Sequence, residues 1–134
     1  MTVIILPIPH TSGVGNQSGS NVATPSSTRE CRIRDLNDEL RRTFSSGRVM
    51  LTSGVQALEE GQRAELLYAV QQFDEFTSAN DPYGEHDFGR VVVDGQGYFF
   101  KVDYYDADLQ YRSPDPADVT VTTRVLTIMR EDEY

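Results

Sequence analysis

The chain has a single cysteine, Cys31, so no internal disulfide can form. A lone thiol fits a reducing compartment better than secretion, and a cytoplasmic location is expected. No run of about 20 apolar residues occurs, which excludes a spanning helix of the usual length. The opening VIILPI, Val3–Ile8, is short, has no basic residue before it and contains Pro7, so it makes a poor signal peptide. There are only two histidines, and one of them, His10, lies far from the acid-rich second half. That is too few for an ordinary zinc site built from several Cys and His ligands. Cys31 itself is read as a spectator thiol, because activation of a nucleophile needs a cationic or histidine neighbour that the sequence does not supply.

Positive charge is also scarce. The net charge is −9, and it is unevenly placed. Residues 1–28 carry no charged side chain. Residues 29–80 hold nine acids and seven bases, and residues 81–134 hold twelve acids and five bases. The surplus of −7 in the C-terminal half argues against direct binding to a nucleic-acid backbone, which needs a basic surface. It suits solubility, or a basic protein partner.

What remains is enough for one domain of 134 residues. Residues 11–27, TSGVGNQSGSNVATPSS, have linker composition, and residues 1–28 are expected to be a flexible tail. GVGNQSG has neither GxGxxG nor Walker A spacing, so no phosphate loop is inferred. VIILPI could add an edge strand, within the limit Pro7 sets.

The single domain is expected to span 29–134. Ser27 and Glu30 have capping-box spacing. Ile33, Leu36, Leu40 and Phe44 then repeat at helical period, which predicts a helix over 29–44 closed by Gly47. Glu30–Arg34 and Asp38–Arg42 read as ion pairs on its outside. RVMLT, 48–52, reads as a strand with a turn at Ser53–Gly54. A second helix is predicted over 59–76, with Leu66, Ala69, Val70, Phe73 and Phe76 as its stripe. GRVVV and YFFKVDYYD around DGQG predict a β-hairpin. Tyr98, Phe100, Val102 and Tyr104 should share one face, and Phe99, Lys101, Asp103 and Tyr105 the other. A loop over 106–118, a final strand VTVTTRVLTIMR and a frayed acidic tail EDEY complete the chain. The expected class is α+β: two helices on one face of a mainly antiparallel sheet of about four strands.

The densest chemistry lies in NDPYGEHDFG, residues 80–89. His86 sits between Glu85 and Asp87. On a strand it would share a face with Phe88, so a carboxylate to orient it would have to come from Asp103 or Asp106. The enzyme reading therefore gathers His86, Glu85, Asp87 and Asp103. The bland reading is a histidine hydrogen-bonded in a loop. Asp81, Glu85, Asp87, Asp103, Asp106 and Asp108 offer oxygens, but they lack the order and closing glutamate of a calcium loop. A few carboxylates holding Mg²⁺ or Mn²⁺ stay open; no cofactor and no metal site is assigned. Asp87-Phe88-Gly89 matches a kinase motif by letters only, and no GxSxG is present.

Tyrosines near these acids suggest a recognition surface instead, since tyrosine pairs a large contact area with a polar tip. The interaction face is assigned to Asp81, Tyr83, Glu85, Asp87, Asp103, Tyr105, Asp106, Asp108 and Tyr111. NDPYGEHDFG, KVDYYDADLQYRSPDPAD and TTRVLTIMREDEY, with RIRDLNDELR and GRVMLTSGV in outline, resemble a family of small alphaproteobacterial proteins that is a domain of unknown function. The resemblance covers 29–134. It implies accessory genes of plasmids, phages or integrated elements, work in the cytoplasm, and an inhibitor or modulator of a host system. The expectation is a small acidic interaction module, in its sharper form an anti-defence protein that imitates nucleic acid before a basic groove. The rivals are a small His-based or metal-dependent enzyme and a purely structural domain.

Overall fold

The computed structural model describes Val3–Leu6, as backbone, and residues 28–134. The linker reading of 11–27, the capping role of Ser27 and the position of His10 lie outside the described residues. The elements run β1 (Val3–Leu6), α1 (Thr28–Thr43), β2 (Arg48–Thr52), α2 (Ser53–Gln56), α3 (Glu60–Gln72), β3 (Phe88–Val93), β4 (Gln96–Tyr105) and β5 (Thr123–Arg130), followed by a 3₁₀ turn at Glu131–Glu133. The sheet order is β1-β2-β5-β4-β3. Only β2 and β5 run parallel; the other three ladders are antiparallel. The architecture is α+β, as the order of elements implied. Among the described residues the sheet has five strands, with one parallel ladder, and there are three α-helices, where about four mainly antiparallel strands and two helices were expected.

The alternation along β4 sets the layers. Tyr98, Phe100 and Val102 are buried, whereas Phe99, Lys101 and Asp103 are only partly so. The inner face packs with Leu40 of α1, Val55 of α2, and Leu66 and Val70 of α3 into one core with Val49, Leu51, Leu126 and Ile128. The β3–β4 turn is tight. Asp94 and Gly95 both take positive φ, at 52° and 77°, which is the two-residue geometry that Asp-Gly favours. Gly89 is required by close approach, because the Phe100 ring and Phe73 lie where its Cβ would stand.

Several local expectations are corrected. The second helix ends at Gln72, and Phe73–Thr77 continues as non-helical chain. The helical stripe still delivers Phe73 and Phe76 to the core edge, because an extended segment can follow the same surface. Ser53–Gly54 opens a one-turn helix, α2, rather than a bare turn. Phe44 and Ser46, not Gly47, take the positive φ values beyond α1. The last strand begins at Thr123, because Ser113, Asp115 and Asp118 fold the preceding residues into side-chain-capped turns. The tail is not frayed. Glu133 accepts hydrogen bonds from Thr52 Oγ1 (2.6 Å), Gly54 N (2.8 Å) and Arg130 N (2.8 Å).

Candidate functional site: a buried polar network under the NDPYGEHDFG loop

One face of α1 buries three polar side chains, Asn37, Asp38 and Arg41. Buried polar groups must find partners or lose stability. Asn37 and Asp38 find them in the segment before β3 and on the ends of β4 and β5, whereas Arg41 bonds only Asp38, within α1.

Asp38 is the centre of the first group. Its Oδ1 accepts from Arg41 Nη1 at 3.2 Å and lies 2.9 Å from His86 Nδ1. The carboxylate is an acceptor only, so His86 places a proton on Nδ1. Asp81 accepts the His86 backbone N–H at 3.2 and 3.3 Å. The other ring nitrogen, Nε2, faces Asp81 Oδ2 at 3.7 Å. The His86 ring lies flat on Phe76, with centroids 3.9 Å apart and planes 5° from parallel. Arg41 Cζ sits 5.2 Å from the Phe76 centroid and 5.8 Å from that of Phe100. Burial lowers the Arg41 pKa from its ordinary value, with Asp38 opposing. His86 adopts φ 57°, the left-handed region, so the strand geometry expected of it is not present. Such a conformation is uncommon for a residue with a side chain, and here its amide and ring are both tied down.

Asn37 is the centre of the second group. Its Nδ2 donates to the Glu85 carbonyl (3.0 Å) and to Tyr104 Oη (2.8 Å), and its Oδ1 accepts from Arg124 Nε (2.8 Å). The Tyr104 hydroxyl donates to Glu85 Oε1 at 2.8 Å. Arg124 also donates to the Pro116 carbonyl and lies over the Tyr104 ring, 5.2 Å from its centroid. Burial pushes the Tyr104 phenol well above its ordinary pKa, and the Glu85 carboxylate adds to the rise.

The residues singled out in the sequence are thus divided. Asp81 is buried, and Glu85, His86, Asp87 and Asp103 are half-buried. The carboxylates at the His86 ring are Asp38 and Asp81, while Asp103 is held by Lys101 Nζ at 2.7 Å. Asp38 is not paired outward with Arg42; it makes an ion pair with Arg41 and a hydrogen bond with His86. Arg34 pairs with Asp35 rather than Glu30. Asp87 has its carboxyl pKa raised, first by burial and then by Glu85, with Asp81 and Asp103 adding to it. Asp106 caps its own loop by accepting from Gln110 N and Tyr111 N, and Tyr105 is half-buried. Tyr83 (81% exposed) and Tyr111 (73%) stand free of the core, as does Asp108. Among the described residues no three His, Cys, Asp or Glu side chains are grouped as metal ligands. No described helix is long and apolar enough to cross a membrane.

Asn37, Asp38 and Arg41 were not legible as a site, although a signal was present. Positions 33, 37, 40, 41 and 44 fall on one helical face, so two polar residues interrupt the apolar stripe where a simple helix would bury leucine.

The fold and network define a small α+β domain whose helix α1 is bolted to the sheet by polar side chains. The family described as "Protein of unknown function (DUF3768)" matches residues 51–133, and the chain belongs to it. The match contains NDPYGEHDFG and Tyr104 but begins after α1, so Asn37, Asp38 and Arg41 lie outside it. No curated protein and no solved structure matches the chain.

Proposed function

We propose that this protein is a small acidic interaction module that docks on a basic protein surface through Tyr83, Asp108 and Tyr111 and the acids beside them. The observation that carries the reading is the contrast within the motif residues. Asp81, Glu85 and His86 are spent on internal bonds, whereas Tyr83 and Tyr111 are left exposed. Tyrosine is enriched at contact surfaces, where it pairs a large contact area with a polar tip, and carboxylates beside it would complement a basic partner. The net charge of −9 would speed encounter with a basic partner. In its sharper form the partner is a cytoplasmic nucleic-acid-binding protein, and the module inhibits it by occupying the groove meant for phosphates. The resemblance to accessory genes of bacterial mobile elements favours that form.

For the His-based enzyme reading, His86 has one face on Phe76 and both ring nitrogens toward carboxylates. That arrangement supports a holding role for the ring over a general base aimed at substrate.

The test uses the full chain and a Tyr83→Ala, Asp108→Lys, Tyr111→Ala variant. Reversal at Asp103 or Asp106 is avoided, since Asp103 pairs with Lys101 and Asp106 caps its loop. A basic partner captured by wild type, released by added salt and lost by the variant at unchanged thermal midpoint is expected. A partner bound equally by both removes this surface from the proposal.

A further inference from the structure

The guanidinium of Arg41 is 1% exposed, and its Nε and Nη2 have no hydrogen-bond partner among the described residues. Nη1 alone is used, by Asp38. The two idle donors are not scattered. Nε–H and the Nη2 hydrogen beside it form the edge of the guanidinium that grips a carboxylate or phosphate with two parallel bonds. Asp38 fixes the orientation of this edge. The surroundings are aromatic: Phe76 and Phe100 both lie within contact range of the guanidinium.

Phe76 belongs to the non-helical segment that runs from Phe73 to His86. Part of that segment is bound mainly to itself. Thr77 and Asn80 exchange side-chain-to-backbone bonds in both directions, Asn80 Nδ2 reaches the Glu75 carbonyl, and Asp81 N returns to the Thr77 carbonyl. Its far end is pinned to α1 by His86 on Asp38 and by the Glu85 carbonyl on Asn37. The pinned residue, His86, holds a left-handed backbone that opening would relax. The segment thus combines internal bonds with an aromatic underside, Phe73 and Phe76 packed on Phe100, and attachments to Asp38, Asn37 and Tyr104.

We propose that Arg41 anchors a binding site for a carboxylate carried on an apolar body, and that Phe73–His86 is a lid closed over it. A carboxylate fits better than a phosphate. The aromatic walls suit the apolar body, and a chain of net charge −9 opposes a dianion more than a monoanion. This site is independent of the exposed tyrosines, so either proposal can fail alone.

The experiment follows the Nε–Hε resonance of Arg41 in the full-length protein during titration with benzoate, benzamide and inorganic phosphate. Benzoate should shift it saturably, and benzamide, which has the ring without the charge, should not. Arg41→Lys keeps the charge but loses the fork, and should weaken benzoate binding by about tenfold or more. Raising salt should leave benzoate binding intact or tighten it, because salt screens the long-range repulsion more than the buried contact. The proposal is overturned if benzoate gives no saturable shift, if benzamide matches it, or if phosphate binds in its place. Loss of benzoate binding with salt would also overturn it, by marking an exposed arginine. Should Arg41→Lys fail to fold, the benzoate–benzamide contrast in the wild type still decides.

Discussion

His86 Nδ1 lies 2.9 Å from Asp38 Oδ1, across 48 positions of sequence. This bond ties the loop before β3 to helix α1. It also shares its acceptor oxygen with Arg41 Nη1, so a single carboxylate contacts one buried arginine and one loop residue of left-handed backbone. At His86 the observed bonds hold both the ring and the backbone N–H to carboxylates, Asp38 of α1 and Asp81 of its own loop.

Asp38→Ala should cost about 3–5 kcal/mol, the range for leaving a buried charge without its partner. Asp38→Asn keeps an oxygen acceptor and should cost less. Urea unfolding of the full chain measures both. A loss below about 1 kcal/mol in the alanine variant would mean that the Phe76 and Phe100 rings alone support Arg41.

Tyr104→Phe removes the hydroxyl between Asn37 and Glu85 and should cost about 1–3 kcal/mol, because both are left with an unmade bond. The phenol also predicts alkaline behaviour. Its folded pKa is raised, so its stabilising contribution is complete below the ordinary tyrosine value of about 10 and is lost as pH rises toward the folded one. In an ultraviolet pH titration, the Tyr104 phenol should ionise only with unfolding. Ionisation of Tyr104 in the folded protein near the ordinary tyrosine value of about 10 would contradict the buried network.

Much of the frame was readable from periodicity. Alternation along YFFKVDYY put Tyr98, Phe100, Val102 and Tyr104 on one face, and the structure buries the first three of them and half-buries Tyr104. The hairpin around DGQG was readable, but the turn is tighter than the four residues expected: Asp94 and Gly95 make it, and Gln96 and Gly97 already belong to β4. Strand order was not readable. The placement of β5 between β2 and β4 depends on contacts between residues far apart in sequence, such as Val49 with Leu126, which leave no local pattern. The site was half readable. NDPYGEHDFG announced itself by composition, but its partners on α1 did not, since Asp38 looks like an ordinary surface acid until the histidine is placed beside it. The tail misled for a similar reason. EDEY has the composition of a frayed end, and only the proximity of Thr52 and Gly54 makes Glu133 a structural residue.

Asp87→Asn should stabilise the protein at neutral pH. Burial and the neighbouring Glu85 raise the Asp87 carboxyl, so the folded state resists its ionisation. A raised carboxyl stabilises below its unfolded value of about 4 and costs stability once pH passes the folded value. The advantage of the asparagine should therefore be present at pH 7 and fade as pH falls through the carboxylate range. Thermal midpoints across that range are the check. A destabilised Asp87→Asn at pH 7 would show that the folded chain itself stabilises the charge, against the raised carboxyl.

Glu133→Gln should show the opposite pH dependence. Partial burial opposes the charge of Glu133, but the bonds from Thr52, Arg130 N and Gly54 N outweigh it and hold the carboxyl below its ordinary value. A depressed carboxyl contributes stability above its unfolded pKa and loses it as pH falls through the folded one. The glutamine variant should cost about 1–2 kcal/mol at pH 7, and the gap from wild type should narrow in acid. The same variant should increase amide exchange at Gly54, whose N–H donates to the carboxylate at 2.8 Å. The C-terminal turn is otherwise fixed to the sheet by Glu131 on Arg90 and by the Tyr134 ring against Phe99, 5.2 Å between centroids. If Gly54 exchanges at the wild-type rate in Glu133→Gln, those contacts alone hold the turn, and the carboxylate is not its lock.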